Sequence, residues 1–503
     1  MSRQTLMLAS LLALPLLSLP SMAAETKPAG NSKPAQRPLD QIKTVVVIYG
    51  ENRSFDNLYG MFPGASGIAQ ALAAGLPKQT GLDGKELAHL PPVWVTKSKP
   101  PAADKAYPLD LPNAPFRIDA APVNQDLSFI TRDLVHRFYQ NQMQINGGKN
   151  DRFAAISDSG ALTMGYYDGS SLPLFKLAQQ YTLADNFFMS AFGGSFLNHM
   201  WFACACTPVA PDAPEKVRVK LNPDGSLKLK ETSPASPFDG APEFYDGSVT
   251  PDGYVVNTAQ PPYQPSDIPP PAGGDSRLAD PALLPLPPQT QKTIGDALSE
   301  GKISWKWYSG GWKRALADRS QIYGGEVNLQ AHHQPYNYFR NYAPGTAQRA
   351  AHLKDGEDLL ADIAKGTLPQ VAFYKPNGPL NEHAGYASVL TGDQHIADLV
   401  KKLQATKQWK NMAIIITYDE NGGFWDHISP PKGDRWGPGT RIPAIIISPF
   451  AKKGQVDHTP YDTTSILHFL STRFNLPLLP GIRKEMGDMT NAFDFDNCES
   501  RNK

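Results

Sequence analysis

Three acidic residues stand in two short clusters, Glu51-Asn52 and Asp419-Glu420, and each cluster directly follows an apolar run. Carboxylates brought to one place repel each other unless a cation neutralises them. Should the fold join the clusters, their oxygen-rich set suits a hard divalent ion such as Ca²⁺, Mg²⁺ or Mn²⁺. The plainer alternative is that these residues cap helices and pair with surface cations. A second feature is Gly193-Gly194-Ser195. The glycines permit a tight turn and close approach to the backbone. Ser195 then opens a helix, where free N–H groups and the dipole favour anions. It serves there either as an N-cap or as a nucleophile whose alkoxide an adjacent cation stabilises. Gly194 before it and Phe196 after it do not make the Gly-x-Ser-x-Gly elbow of an α/β-hydrolase. Third come four of the eleven histidines: His136, His332, His333 and His383. Taken singly, each reads first as a structural or surface histidine. Charged imidazoles beside a metal and a serine would bind a phosphate dianion, and one could protonate a leaving oxygen.

These residues need elements to position them. Thr44 to Tyr49 is a β-branched run of strand length, and similar runs recur at 370–374, 412–418 and 442–448. Being apolar throughout, they read as strands covered on both faces. Between them lie amphipathic helical periods, among them Leu174-Leu177-Ala178-Tyr181 and Ile396-Leu399-Val400-Leu403. A third helix, through Ile466, Leu467 and Leu470, follows Thr463 and Thr464 as expected caps. Buried strands alternating with helices predict an α/β fold with a mainly parallel sheet between two helical layers. Ligands in such folds sit at the carboxyl ends of strands, which is where both acidic clusters fall.

Two insertions interrupt the pattern, near 62–125 and 208–290, the second holding 18 of the 47 prolines. Within it, Asn222-Pro223-Asp224-Gly225 between two alternating basic and apolar runs predicts a hairpin. Lys+Arg and Asp+Glu are both 48, so there is no basic field for nucleic acid and no acidic excess. At the N-terminus, Arg3, the apolar run Leu6 to Leu19 and Ser21-Met22-Ala23 predict a signal peptide over 1–23. A polar leader over 24–40 and a catalytic domain over 41–503 would follow. The product would be exported to the periplasm or secreted, without stable membrane insertion. Of three cysteines, Cys204 and Cys206 read as buried thiols, with one bridge to Cys498 as the oxidising alternative.

Glu51-Asn52-Arg53-Ser54-Phe55-Asp56 and Asp419-Glu420-Asn421-Gly422-Gly423-Phe424-Trp425-Asp426-His427 resemble the two signatures of the bacterial phosphoesterase family. That family holds the secreted phospholipases C and the AcpA-type acid phosphatases. The resemblance covers most of 42–480 and implies an alkaline-phosphatase-like three-layer α/β/α sandwich. The Gly193 to His199 segment and the settings of the four histidines are similar to the acid phosphatase branch. By resemblance, Ser195 is the nucleophile, and Glu51, Asn52, Asp419 and Glu420, with Ser195, hold one divalent ion. His136, His332, His333 and His383 hold phosphate. Asp426 and His427 either act directly or order the Gly422-Gly423 loop. The expected activity is acid hydrolysis of phosphomonoesters through a phosphoserine, with phospholipid as a conceivable contact. Two rivals stand beside it: a phospholipase C acting on choline lipids, and an exported protein that binds phosphate without turnover.

Overall fold

The computed structural model describes residues 37–496. The expected signal peptide, most of the polar leader and Cys498 lie outside them. Eight strands build the central sheet: β1 (Thr44–Gly50), β2 (Thr182–Ala184), β3 (Trp305–Ser309), β4 (Leu353–Asp355), β5 (Val371–Lys375), β6 (Met412–Tyr418), β7 (Ala444–Ile447) and β8 (Gln455–Asp457). Their order across the sheet is β8-β2-β7-β6-β1-β5-β3-β4. Every residue of β1 and β6 is buried, as their unbroken Val and Ile content requires of strands covered on both faces. β1 runs parallel to both β5 and β6. β7 runs antiparallel to both β6 and β2, so the run at 442–448 is a strand but a reversed one.

Six helices bear on the site and its supports: α1 (Phe55–Tyr59), α2 (Phe138–Ile145), α3 (Pro173–Gln180), α4 (Ser195–Cys204), α5 (Val389–Gln404) and α6 (Thr463–Phe474). Successive residues of a strand point to opposite faces. Phe373 of β5 packs on Phe202 of α4, with ring centroids 5.4 Å apart. The next residue, Tyr374, meets His395 of α5 through a 2.8 Å hydrogen bond. α4 and α5 therefore cover opposite faces, and the chain is an α/β sandwich with one continuous apolar core. α6 is not capped by Thr463 or Thr464. Asp462 caps it, accepting the Thr464 N–H, while Ser465 completes the capping box. An ionised carboxylate accepts more strongly than a hydroxyl at a helix N-terminus.

The two insertions are mostly turns and isolated bridges, but they are not detached. Val219, Leu227, Phe244, Val249 and Val255 of the second join the main core. The expected hairpin forms as a short one: Leu221 bridges Leu227, the Lys228 N–H donates to the Lys220 carbonyl, and the Gly225 N–H donates to the Asn222 carbonyl. Cys204 and Cys206 are not buried thiols; they form a disulfide with each other. α4 ends at Cys204, and Ala205 takes a left-handed conformation (φ 47°) that turns Cys206 back. Nothing in the spacing announces that turn, because alanine rarely adopts it. Among the described residues no helix is long and apolar enough to cross a membrane.

Candidate active site

Parallel pairing brings the two acidic clusters together. Gly50 at the end of β1 lies beside Tyr418 at the end of β6, so Glu51-Asn52 and Asp419-Glu420 leave the sheet side by side. Asn52 adopts a left-handed backbone (φ 61°), which asparagine tolerates better than most residues. Its N–H donates to Asp419 Oδ1 at 3.1 Å, and the Glu420 N–H donates to the same oxygen at 2.9 Å. Gly422 must be glycine: a Cβ there would sit 2.4 Å from the Asn52 carbonyl oxygen.

Ser195 is the first residue of α4. Gly194 is the N-cap, so the serine's hydroxyl is not spent on capping. It hydrogen-bonds to Glu420 Oε1 at 3.1 Å and Asn52 Oδ1 at 3.3 Å. One turn further along α4, His199 donates from Nδ1 to the Ser195 carbonyl at 2.7 Å and lies 3.7 Å from Asp419. His136, just before α2, has Nε2 3.3 Å from the Asn52 amide and 3.6 Å from Glu420. His136 Nδ1 bonds the Leu134 carbonyl, and His383 Nδ1 bonds that of Ala384. Each ring therefore turns Nε2 away from the backbone. His333 sits in a short 3₁₀ turn whose carbonyl accepts from Trp307 Nε1 at 2.7 Å; its Nε2 faces Glu51 Oε1. A cleft of about 400 Å³ is lined by Ser195, His136, His332 and His383, and by residues of both insertions, Lys97 and Asn257.

The sheet also supplies a cation that sequence reasoning passed over. Lys375, the last residue of β5, places Nζ 3.1 Å from Glu51 Oε1 and 3.5 Å from Asp419 Oδ2. The run at 370–374 was legible as a strand, and looking one residue past its end would have found the lysine. Asn381 and Tyr386 were missed too. They donate to Glu51 Oε2 at 2.6 and 2.8 Å, from a loop with no signature of its own.

Burial governs the electrostatics. It pushes Glu51 up, but His333 and Lys375 outweigh it and hold the carboxyl well below its usual range. Burial raises Asp419, with Lys375 opposing and Glu51 adding to the rise. Burial likewise pushes Glu420 up to about 8, against the pull of His136. His136 itself, although burial disfavours its charge, is raised to about 9 by Glu420 and Asp133. For His332 and His333 burial opposes the charge expected of them and lowers both, His332 strongly. Neutral imidazoles are metal ligands or hydrogen-bonding groups, not counter-ions for a dianion. The residues fit a metal ion. Buried carboxyls crowd one place, and His199 Nε2, His332 Nδ1 and His333 Nδ1 are buried without a hydrogen bond. Asp426 and His427 stand apart from Ser195. Asp426 accepts from Arg441 Nε at 2.9 Å and His427 Nδ1 pairs with Asp56 at 2.6 Å, so both order the chain beyond the Gly422-Gly423 loop.

The model of the Phosphoesterase family matches residues 42–477. Phospholipase C B of Mycobacterium tuberculosis is 25% identical over 494 residues, covering 91% of this chain and 78% of that protein. A non-hemolytic phospholipase C of Burkholderia pseudomallei is 26% identical over 512 residues, covering 91% of this chain and 59% of that protein. Among solved structures, an alkaline phosphatase superfamily protein from Vibrio parahaemolyticus is 12% identical, with a TM-score of 0.32, over 72% of this chain and 71% of that one.

Proposed function

The chain belongs to the phosphoesterase family and is a phosphoric ester hydrolase; from that premise we propose that Ser195 is its nucleophile and that phosphomonoesters are its preferred substrates. The observation that carries the assignment is the Ser195 hydroxyl, free of any capping duty and donating to Glu420 Oε1 at 3.1 Å at the floor of the cleft. Ser195 Oγ attacks phosphorus as its proton passes to Glu420, the P–O bond to the leaving group breaks, and a phosphoserine forms. Water then hydrolyses that ester. The free N–H groups of the first turn of α4 face the incoming anion. His136 is the group placed to protonate the leaving oxygen, since its Nδ1 is held by the backbone and its charge is favoured. His332 and His383 wall the cleft and hydrogen-bond phosphate oxygens. One divalent ion held by Glu51, Asn52, Ser195, Asp419 and Glu420 would lower the serine's pKa and neutralise charge on the phosphoryl group. The acidic residues nearby need such a charge for all of them to be ionised at once.

A second reading is phospholipase C activity on phosphodiesters, which the names of the relatives favour. One observation here also favours it. Val256 to Thr258 line the cleft, while their neighbours Val255 and Ala259 line a mainly apolar cavity of about 510 Å³ walled by Pro285, Leu286 and Pro288. An acyl chain would suit that cavity. Exported or secreted placement accords with either substrate. The deciding experiment assays p-nitrophenyl phosphate against phosphatidylcholine vesicles, using the wild type and Ser195→Ala. Loss of turnover in the folded variant is expected. Near-normal turnover would remove Ser195 from the mechanism, and a clear preference for the lipid would replace the monoester reading with the phospholipase one.

A further inference from the structure

Lys375 Nζ is fully buried between the ends of adjacent strands, bonded to the Gly50 carbonyl at 3.0 Å as well as facing Glu51 and Asp419. The ring of Tyr49 lies 5.0 Å away on another side. An ammonium group is strongly hydrated, and stripping its water is tolerated only where anionic and carbonyl oxygens replace it. Its two carboxylate partners belong to different donor sets. Asp419 joins Asn52, Ser195 and Glu420, which hydrogen bonds link. Glu51 joins ring nitrogens of His332 and His333, with one donor atom of each residue within 4.8 Å of the others. His332 Nδ1 and His333 Nδ1 are buried and make no hydrogen bond, while His333 Nε2 meets Glu51 Oε1. Two imidazoles and a carboxylate are a ligand set for a borderline divalent ion such as Zn²⁺.

We propose that Lys375 is the built-in counter-cation of this centre and limits it to one divalent ion, standing in for a second ion that Glu51, His332 and His333 would otherwise hold. The inference rests on the metal reading of the site. Lys375 Nζ and His333 Nε2 both lie against the same oxygen, Glu51 Oε1. A second ion on Glu51 would meet the lysine charge on the same carboxylate oxygen, in a buried place where like charges repel strongly. Without the lysine, Glu51 Oε1 is open to an ion held with His332 and His333.

The test is metal content by elemental analysis, after equilibrium dialysis of the folded full chain against Mn²⁺ or Zn²⁺. Wild type should carry one ion per chain and Lys375→Met two. Methionine keeps an unbranched apolar stem and removes Nζ with its charge and its bond to the Gly50 carbonyl. Adding His333→Gln to Lys375→Met should return the count to one. One ion in both wild type and Lys375→Met overturns the proposal. None in wild type overturns instead the metal reading beneath it. Should Lys375→Met fold only when refolded with metal present, its count is taken on that refolded protein. Lys375→Arg, which keeps the charge, serves as the second variant: one ion is expected, and two would overturn the proposal.

Discussion

Gly194→Ala tests whether the nucleophile and the cleft histidine are mechanically interlocked. Gly194 has φ −99° and ψ −178°, an extended backbone any residue adopts, so alanine brings no conformational cost. Its effect is purely steric. A Cβ built there lies 2.7 Å from the His136 carbonyl oxygen and 3.2 Å from the His136 ring. Comfortable carbon contacts are about 3.5–4.0 Å, so something must move by several tenths of an ångström or more. The oxygen belongs to the backbone and cannot swing aside. Either the first turn of α4 shifts and carries Ser195, or His136 withdraws. Overpacking of this kind costs about 1–3 kcal/mol of stability. Misplacing a catalytic group by about 1 Å costs on the order of 100-fold, so kcat/KM should fall about 10- to 100-fold. Urea denaturation reads the first effect and aryl-phosphate kinetics the second. A variant with wild-type midpoint and wild-type kcat/KM would refute the interlock, and with it the placing of His136 against the nucleophile's turn.

Exhaustive chelation should abolish turnover, and adding back one divalent ion per chain should restore it; full activity in protein shown to be metal-free would refute the metal reading. Arg441→Met should destabilise the fold by about 3–5 kcal/mol, because Asp56 and Asp426 both bond that buried guanidinium; a denaturation midpoint within error of wild type would contradict this. Asp393→Asn should flatten the dependence of stability on pH. Burial pushes the Asp393 carboxyl up to about 7, against about 3.9 unfolded, so the folded state holds a proton the unfolded chain has released. Its stabilising effect is complete below about pH 4 and is lost as pH rises towards 7. Asparagine can still accept the Leu174 N–H, so wild type and variant showing the same slope between pH 4 and 7 would rule out this titration.

The strand runs at 44–49 and 412–418 were legible in the sequence because burial on both faces forces unbroken apolar residues, a local signal. So were the positions of Glu51-Asn52 and Asp419-Glu420 at strand ends, and Ser195 at a helix start after two glycines. What the sequence by itself could not determine is which strand ends are neighbours. β1 lies between β5 and β6, and that order, set by long-range pairing, puts Lys375 against Glu51 and Asp419. The reversal of β7 was hidden for the same reason, since an apolar run does not carry its direction. The charge states of the histidines also belong to the tertiary structure. His332 and His333 are adjacent in sequence to nothing acidic, and burial, with Lys375 nearby, lowers both, while His136 gains Glu420 and Asp133 as neighbours and is driven the other way. Residue type and spacing announce which groups can do chemistry. Desolvation and charge proximity, which exist only once the chain has packed, decide the form each group takes.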